Sequence, residues 1–242
     1  MPLFSDEGAR KTSSAIACLG IAFHLLSYYE EDCGHHAEVK VDADEGAITI
    51  VDLSGCCSDS IDAFRRSFGK IIGVPYRECE IDCSSDTASQ GYRYRELSRN
   101  MTAMFLSKFR STLTNLAVTG YEYFFIIGWN GEMAYGRGEE TRIHLPLIPG
   151  VIMAHTHPSP LCYPSGHDLR SAAEFFSSSG LVEVIVSTSC VSVMRLVEPL
   201  REDDYWRLID LSNKVKKIKE YEEYIVALNE LSKLSSIVFE VF

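Results

Sequence analysis

His155 and His157 stand two residues apart, and Asp168 follows after a loop that carries Pro158, Pro160 and Pro164. Two imidazoles and one carboxylate make the ligand set of an open catalytic zinc site, which keeps its fourth position for water. The spacing suits that chemistry. If residues 151–157 run as a strand, His155 and His157 project from one face, because side chains alternate with period 2. Asp168 then returns from the first turn of the next helix. A metal in such a site brings the pKa of bound water down to about 7 and polarises a carbonyl. A base must still take the water's proton, and a donor must stabilise the oxyanion. Ser165, three residues before Asp168, is the candidate donor. Ser-x-x-Asp is also a helix N-cap with its capping box. The two roles are compatible, since capping would fix both side chains.

The elements around these residues follow from periodicity. Residues 13–31 read as a buried helix, apolar nearly all round through Ala15, Ile16, Leu19, Ile21, Phe23, Leu25 and Leu26. Alternation over 37–41 and 47–52, around an acidic turn ending in Gly46, predicts a hairpin. Residues 59–68 form a helix with Ile61, Phe64 and Phe68 on one face. These make a small α-β-β-α unit, and the small polar residues of 83–91 have the composition of a linker. A helix over 94–116 places Leu97, Met101, Met104, Phe105 and Lys108 at helical spacing. Glu122 leads a β-prone run through Ile127, Asn130-Gly131 predicts a hairpin turn, and strands follow at 132–137 and 142–147. An apolar strand from 150 runs into the histidines. Beyond the motif come a helix over 168–179 capped by Gly180, strands at 181–187 and 191–197, one long amphipathic helix over about 203–234, and an edge strand at 237–239. The predicted class is α/β (α+β), with a small N-terminal unit over 1–90 and a second domain over 91–242.

The chain has 242 residues, 46% hydrophobic and 24% charged, as in ordinary soluble globular proteins. A net charge of -11 disfavours binding to a nucleic-acid backbone. The one dense basic run, Lys214, Lys216, Lys217 and Lys219, has acids on both sides and reads as a solvated helix face. Eight cysteines are present, but the chain is too long to need a disulfide scaffold, so the thiols are expected to be reduced and the location cytoplasmic. Segment 13–28 follows Arg10 and Lys11. However, Asp6 and Glu7 precede it, His24 interrupts it and no small-residue cleavage site follows, so it is not read as a signal peptide. No apolar run is expected to span a membrane. Cys33, His35, His36, Cys56, Cys57, Cys79 and Cys83 contain the donors for a structural zinc site but lack the usual knuckle spacing. Cys162 reads as an inert loop thiol, His167 as a polar residue of a helix's first turn, and Thr156 and Ser159 as residues that shape the loop.

The string His155-x-His157-Pro158, six residues, Ser165-x-x-Asp168 resembles the signature of the JAMM (MPN+ or JAB) metalloproteases. The order of elements over about residues 94–198 is similar to that family as well. The resemblance implies a JAMM/MPN-like (cytidine deaminase-like) fold, a central mixed β-sheet flanked by helices. It implies one catalytic zinc held by His155, His157, Asp168 and water, with Ser165 supporting the tetrahedral intermediate. It implies peptidase or isopeptidase action on a protein substrate, such as a ubiquitin-like protein or its conjugate. The family's general base is a glutamate that opens a strand after the first helix, the place of Glu122; Glu132, Glu139 and Glu140 are its rivals. Only 32 residues separate Glu122 from His155, and no second His/Cys cluster follows Asp168. A preference for one polyubiquitin linkage is therefore not implied. Residues 1–90 lie outside the resemblance and are assigned the choice of substrate or of a partner. One rival is a RadC-type protein associated with DNA repair, which shares the positions of Ser159 and Pro164; the acidic charge stands against it. A second is a non-catalytic scaffold of the same fold, against which the intact ligand set stands.

Overall fold

The computed structural model describes residues 6–51, 57–85, 91–138 and 149–242. The chain is a mixed α/β protein, consistent with the α+β class. Its described strands, numbered in chain order, are β1 (Glu38–Asp42), β2 (Ala47–Val51), β3 (Glu80–Ser84), β4 (Tyr123–Ile127), β5 (Met133–Arg137), β6 (Ile152–Thr156), β7 (Val182–Val186), β8 (Val191–Leu196) and β9 (Ile237–Val241). They form a three-stranded sheet in the order β1-β2-β3 and a six-stranded sheet in the order β5-β4-β6-β7-β8-β9. It divides into two compact units, Met1–Lys108 with Ile127–Ala134, and Phe109–Ile126 with Tyr135–Phe242, the division falling within helix α3 (Tyr94–Ala117).

In the first unit, α1 (Glu7–Cys33) opens where the Asp6 carboxylate accepts the Ala9 amide at 2.7 Å and closes at Gly34, whose φ of 69° suits glycine. By length and composition α1 is apolar enough to cross a membrane, contrary to expectation, yet 72% of its most apolar window is buried in the fold. Strands β1 (Glu38–Asp42) and β2 (Ala47–Val51) pair antiparallel, and α2 (Cys57–Ile72) follows. Strand β3 (Glu80–Ser84), parallel to β2, is an addition to the expected elements. Its sequence Glu-Ile-Asp-Cys-Ser holds one aliphatic residue, Ile81, so no apolar alternation marks it and the ladder to β2 decides. The tip of a later hairpin also belongs here: Trp129 is fully buried beside His24 and Phe68, and Ser13 donates to the Gly131 carbonyl at 2.6 Å. The expectation of reduced thiols is corrected. Cys33 and Cys83 each take part in a disulfide, and in the second unit Cys162 is joined to Cys190 with Cα atoms 5.6 Å apart. Cys79 faces the free Cys18 with sulfurs 3.2 Å apart, and His36 pairs with Glu30 at 3.2 Å, so these donors do not gather around a metal. The side chains of Cys56 and Cys57 lie outside the described residues.

In the second unit, β4 (Tyr123–Ile127) and β5 (Met133–Arg137) lead to the central strand β6 (Ile152–Thr156). The predicted strand at 142–147 lies outside the described residues. Helix α4 (Gly166–Ser177) carries the chain from β6 to the parallel β7 (Val182–Val186), and β8 (Val191–Leu196) and β9 (Ile237–Val241) add antiparallel. Strands β6, β7 and β8 are buried on both faces, hence their nearly unbroken apolar sequences. The left-handed residue after α4 is Ser179 (φ 74°), not Gly180. Gly180 serves another need, since a Cβ there would lie 2.4 Å from the Phe175 ring. The long C-terminal helix is in fact α5 (Glu202–Val215), α6 (Tyr221–Leu228) and a 3-10 turn (Asn229–Lys233). The break falls in the lysine-rich stretch, where like charges within a turn repel. It also redirects α6, so that the Tyr224 hydroxyl reaches the Pro164 carbonyl at 3.0 Å.

Candidate metal centre

Strand β6 carries His155, and His157 directly follows its last residue, its amide bonded to the Val186 carbonyl at 2.9 Å. Their Nε2 atoms are 3.2 Å apart, and those of His155 and His157 lie 3.3 and 3.4 Å from Oδ1 and Oδ2 of Asp168 respectively. A cation held tetrahedrally at about 2.0–2.1 Å from each ligand needs ligand–ligand edges of roughly 3.3 Å. The three side chains therefore fit a small divalent ion, and among the described residues no other His/Cys/Asp/Glu group gathers with metal-ligand spacing.

The segments that carry the candidate ligands are tied down by their neighbours. Between the histidines, Thr156 turns its hydroxyl to the opposite face and accepts the Tyr123 amide at 2.9 Å, which ties β4 to β6. Asp168 stands at the third helical position of α4, whose N-cap is Ser165. Ser165 N donates to Asp168 Oδ2 at 2.6 Å, while Ser165 Oγ accepts from His167 N and Asp168 N at 3.2 and 3.3 Å. The expected capping box is present. The loop between the ligands is clamped to the β7–β8 turn by the Cys162–Cys190 disulfide, by Ser187 and Ser189 donating to the Pro160 carbonyl at 3.1 and 2.5 Å, and by Ser192 donating to the Cys162 carbonyl at 2.5 Å.

Electrostatics join these groups. Burial works against ionising Asp168, but His155 and His157 outweigh it and hold its carboxyl well below the usual range. Burial likewise disfavours a charged His157, yet the Asp168 carboxylate raises its pKa. Glu122, just before β4, feels the charges of all three ligand residues; burial first, and then the Asp168 charge, push its carboxyl up against the pull of the histidines. Its carbonyl accepts the Gly138 amide at 2.8 Å, which fixes the backbone there. Glu122, His155, His157 and Asp168 are thus brought together. Ser165 caps α4 with its side chain exposed, and His167 lies exposed in the first turn. Glu132 sits exposed in the β4–β5 turn, its amide bonded to Asn130. Glu139 and Glu140 lie outside the described residues.

Sequence reasoning misses the residues behind the ligands. Thr156 does more than shape the loop, and the serines of the β7–β8 turn carry no signal. Glu183 on β7 reads as part of a strand, although a lone acid within Val-Glu-Val-Ile-Val is its own signal. Its side chain is fully buried, its Oε1 lies 3.9 Å from His155 Nδ1, and burial pushes its carboxyl well above the usual range. Compared with family models, curated proteins and solved structures, the chain finds no match.

Proposed function

We propose that the chain is a zinc-dependent peptidase or isopeptidase of JAMM type, with a JAMM/MPN-like fold in its second unit and a protein substrate such as a ubiquitin-like protein or its conjugate. The observation that carries this reading is the closed triangle of His155, His157 and Asp168 ligand atoms, all within 4.8 Å of one another, with the half-buried Glu122 within electrostatic reach of all three. His155, His157 and Asp168 would hold the ion and leave a fourth position open. When bound, the zinc supplies an acidified water and a polarised scissile carbonyl. Glu122 would be the base, able to hold a proton on its carboxylate and return it to a departing amine nitrogen. Burial raises the pKa of Glu122, the direction that makes a carboxylate a stronger base. Ser165 Oγ spends its lone pairs on the His167 and Asp168 amides, which leaves its hydroxyl hydrogen to donate to an oxyanion.

Two histidines and a carboxylate also serve iron(II), so the metal is identified by measurement. Gentle purification followed by elemental analysis should find about one zinc per chain, and Asp168→Ala should abolish it. A protein without zinc, or one whose zinc persists in Asp168→Ala, would sink the proposal. Hydrolysis of a ubiquitin-like fusion should disappear in Glu122→Gln while the zinc stays. If Glu139→Gln or Glu140→Gln abolishes hydrolysis and Glu122→Gln does not, the base is misassigned.

A further inference from the structure

Buried polar groups are almost always hydrogen-bonded, and each exception calls for an explanation. In the second unit, the unpartnered buried side-chain atoms among the described residues are His155 Nδ1 and both carboxyl oxygens of Glu183. They face one another, Nδ1 to Oε1, at 3.9 Å. A donor and an acceptor that each lack a partner thus stand about 1 Å beyond the usual N–H···O length of about 2.9 Å.

We infer that Glu183 is the positioning residue for the metal ligand His155, accepting its Nδ1–H and so aiming its Nε2 at the ion. The inference rests on the metal reading of the site. Nε2 is the coordinating atom, because it is the one that faces His157 and Asp168. A neutral imidazole that coordinates through Nε2 must carry its proton on Nδ1. That proton points into the interior, where Glu183 holds the nearby acceptor. The register places it there. Glu183 pairs with Met153, and Ile185 with His155, across the parallel β6–β7 ladder. Alternation then puts Met153, His155, Glu183 and Ile185 on one face of the sheet. Glu183 is therefore held by a central strand and not by a loop. His157 has a counterpart of its own, since its Nδ1 lies 3.4 Å from the Leu161 carbonyl. Each ligand imidazole is thus backed by an oxygen, one from a side chain and one from the backbone. Such partners fix the tautomer and ring orientation of a ligand and strengthen it as a base.

The test measures zinc affinity by competition with a chromogenic chelator, for the full chain and for Glu183→Gln and Glu183→Leu. It also follows thermal unfolding of the metal-free proteins. Glu183→Leu removes the acceptor and should weaken zinc binding about 10- to 100-fold, without lowering metal-free stability. Glu183→Gln keeps an acceptor oxygen and should retain most of the affinity. A packing role predicts the reverse: changed stability and unchanged affinity. Zinc bound by Glu183→Leu as tightly as by the unaltered chain overturns the inference alone. An unaltered chain that binds no zinc overturns the metal reading with it. If Glu183→Leu fails to fold, the imidazole nitrogen spectrum of the zinc-loaded chain decides. A slowly exchanging proton on His155 Nδ1, shifted in Glu183→Gln, supports the inference; metal on Nδ1, or no proton there, overturns it.

Discussion

Asp204 at the start of α5 is 2% exposed, and its Oδ2 takes four hydrogen bonds, from the amide and hydroxyl of Ser235 and of Ser236, at 2.7–2.9 Å. Glu183 is 1% exposed, and neither of its oxygens has a partner among the described residues. Burial works to raise the pKa of both. For Asp204 the serine donors reverse it and lower the pKa; for Glu183 nothing does, and the nearby Asp168 charge adds to the rise. Asp204 has the satisfaction that a structural latch requires, and what it latches is the entry to β9. Among the described residues the buried polar atom nearest Glu183, His155 Nδ1, is likewise without a hydrogen-bond partner. On the proposed metal reading, the difference separates polar groups that hold the fold from polar groups that would serve chemistry.

Ranked by effect on hydrolysis, four substitutions put that separation at risk. Asp168→Ala should lose the metal and reduce turnover to background, checked by elemental analysis beside an assay on a ubiquitin-like fusion. Glu122→Gln should cost about 10²- to 10⁴-fold in kcat with zinc content unchanged. Ser165→Ala should cost about 10²-fold in kcat as a lost oxyanion donor, together with about 1 kcal/mol of stability as a lost N-cap. Asp204→Ala should leave turnover per folded molecule unaltered while removing about 2–4 kcal/mol of stability, measured by denaturant unfolding. A kinetic defect in Asp204→Ala, or a purely structural one in Glu122→Gln, would collapse the distinction.

The latch also predicts a direction with pH. Asp204 has a folded pKa below its ordinary 3.8, so the unfolded chain binds its proton first as pH falls. Its contribution is complete above about 3.8 and is lost as pH drops through the folded value. Asp204→Asn should flatten that limb of the stability curve and leave the region above about pH 5 parallel to the unaltered chain, shifted by a constant amount.

Much of the candidate site is legible in the chain because its parts are local. His155 and His157 need only the period of a strand, and Ser165 with Asp168 need only the capping pattern; both patterns appear where expected. Glu122 is marked by the five β-prone residues directly after it, which form β4. The parts played by Glu183, marked only as a lone acid in an apolar strand, and by Cys190 as the partner of Cys162 are hidden for the opposite reason. Their roles exist only once β7 lies beside β6 and the β7–β8 turn reaches the motif loop, and that register is not written in either segment alone. Strand β3 is hidden because pairing, not apolar alternation, makes it a strand. The C-terminal segment reads as one long helix because its apolar stripe runs on past Val215, across the break that lets Tyr224 reach Pro164, far earlier in the chain.

The three ligands all fall between residues 155 and 168, joined by a single short loop that the disulfide and the serines tie down. Closing so short a loop costs little chain entropy, and the cost grows only with the logarithm of length. A chain that has not yet paired its strands can therefore already bring His155, His157 and Asp168 within reach of an ion. Glu122 arrives from an earlier segment and Glu183 from the following strand, and neither comes into place until the sheet is assembled. On the proposed reading, capture of the ion would be separated in time from the power to use it. Ion affinity shared by the unfolded chain also stabilises the native state less than tight binding alone suggests.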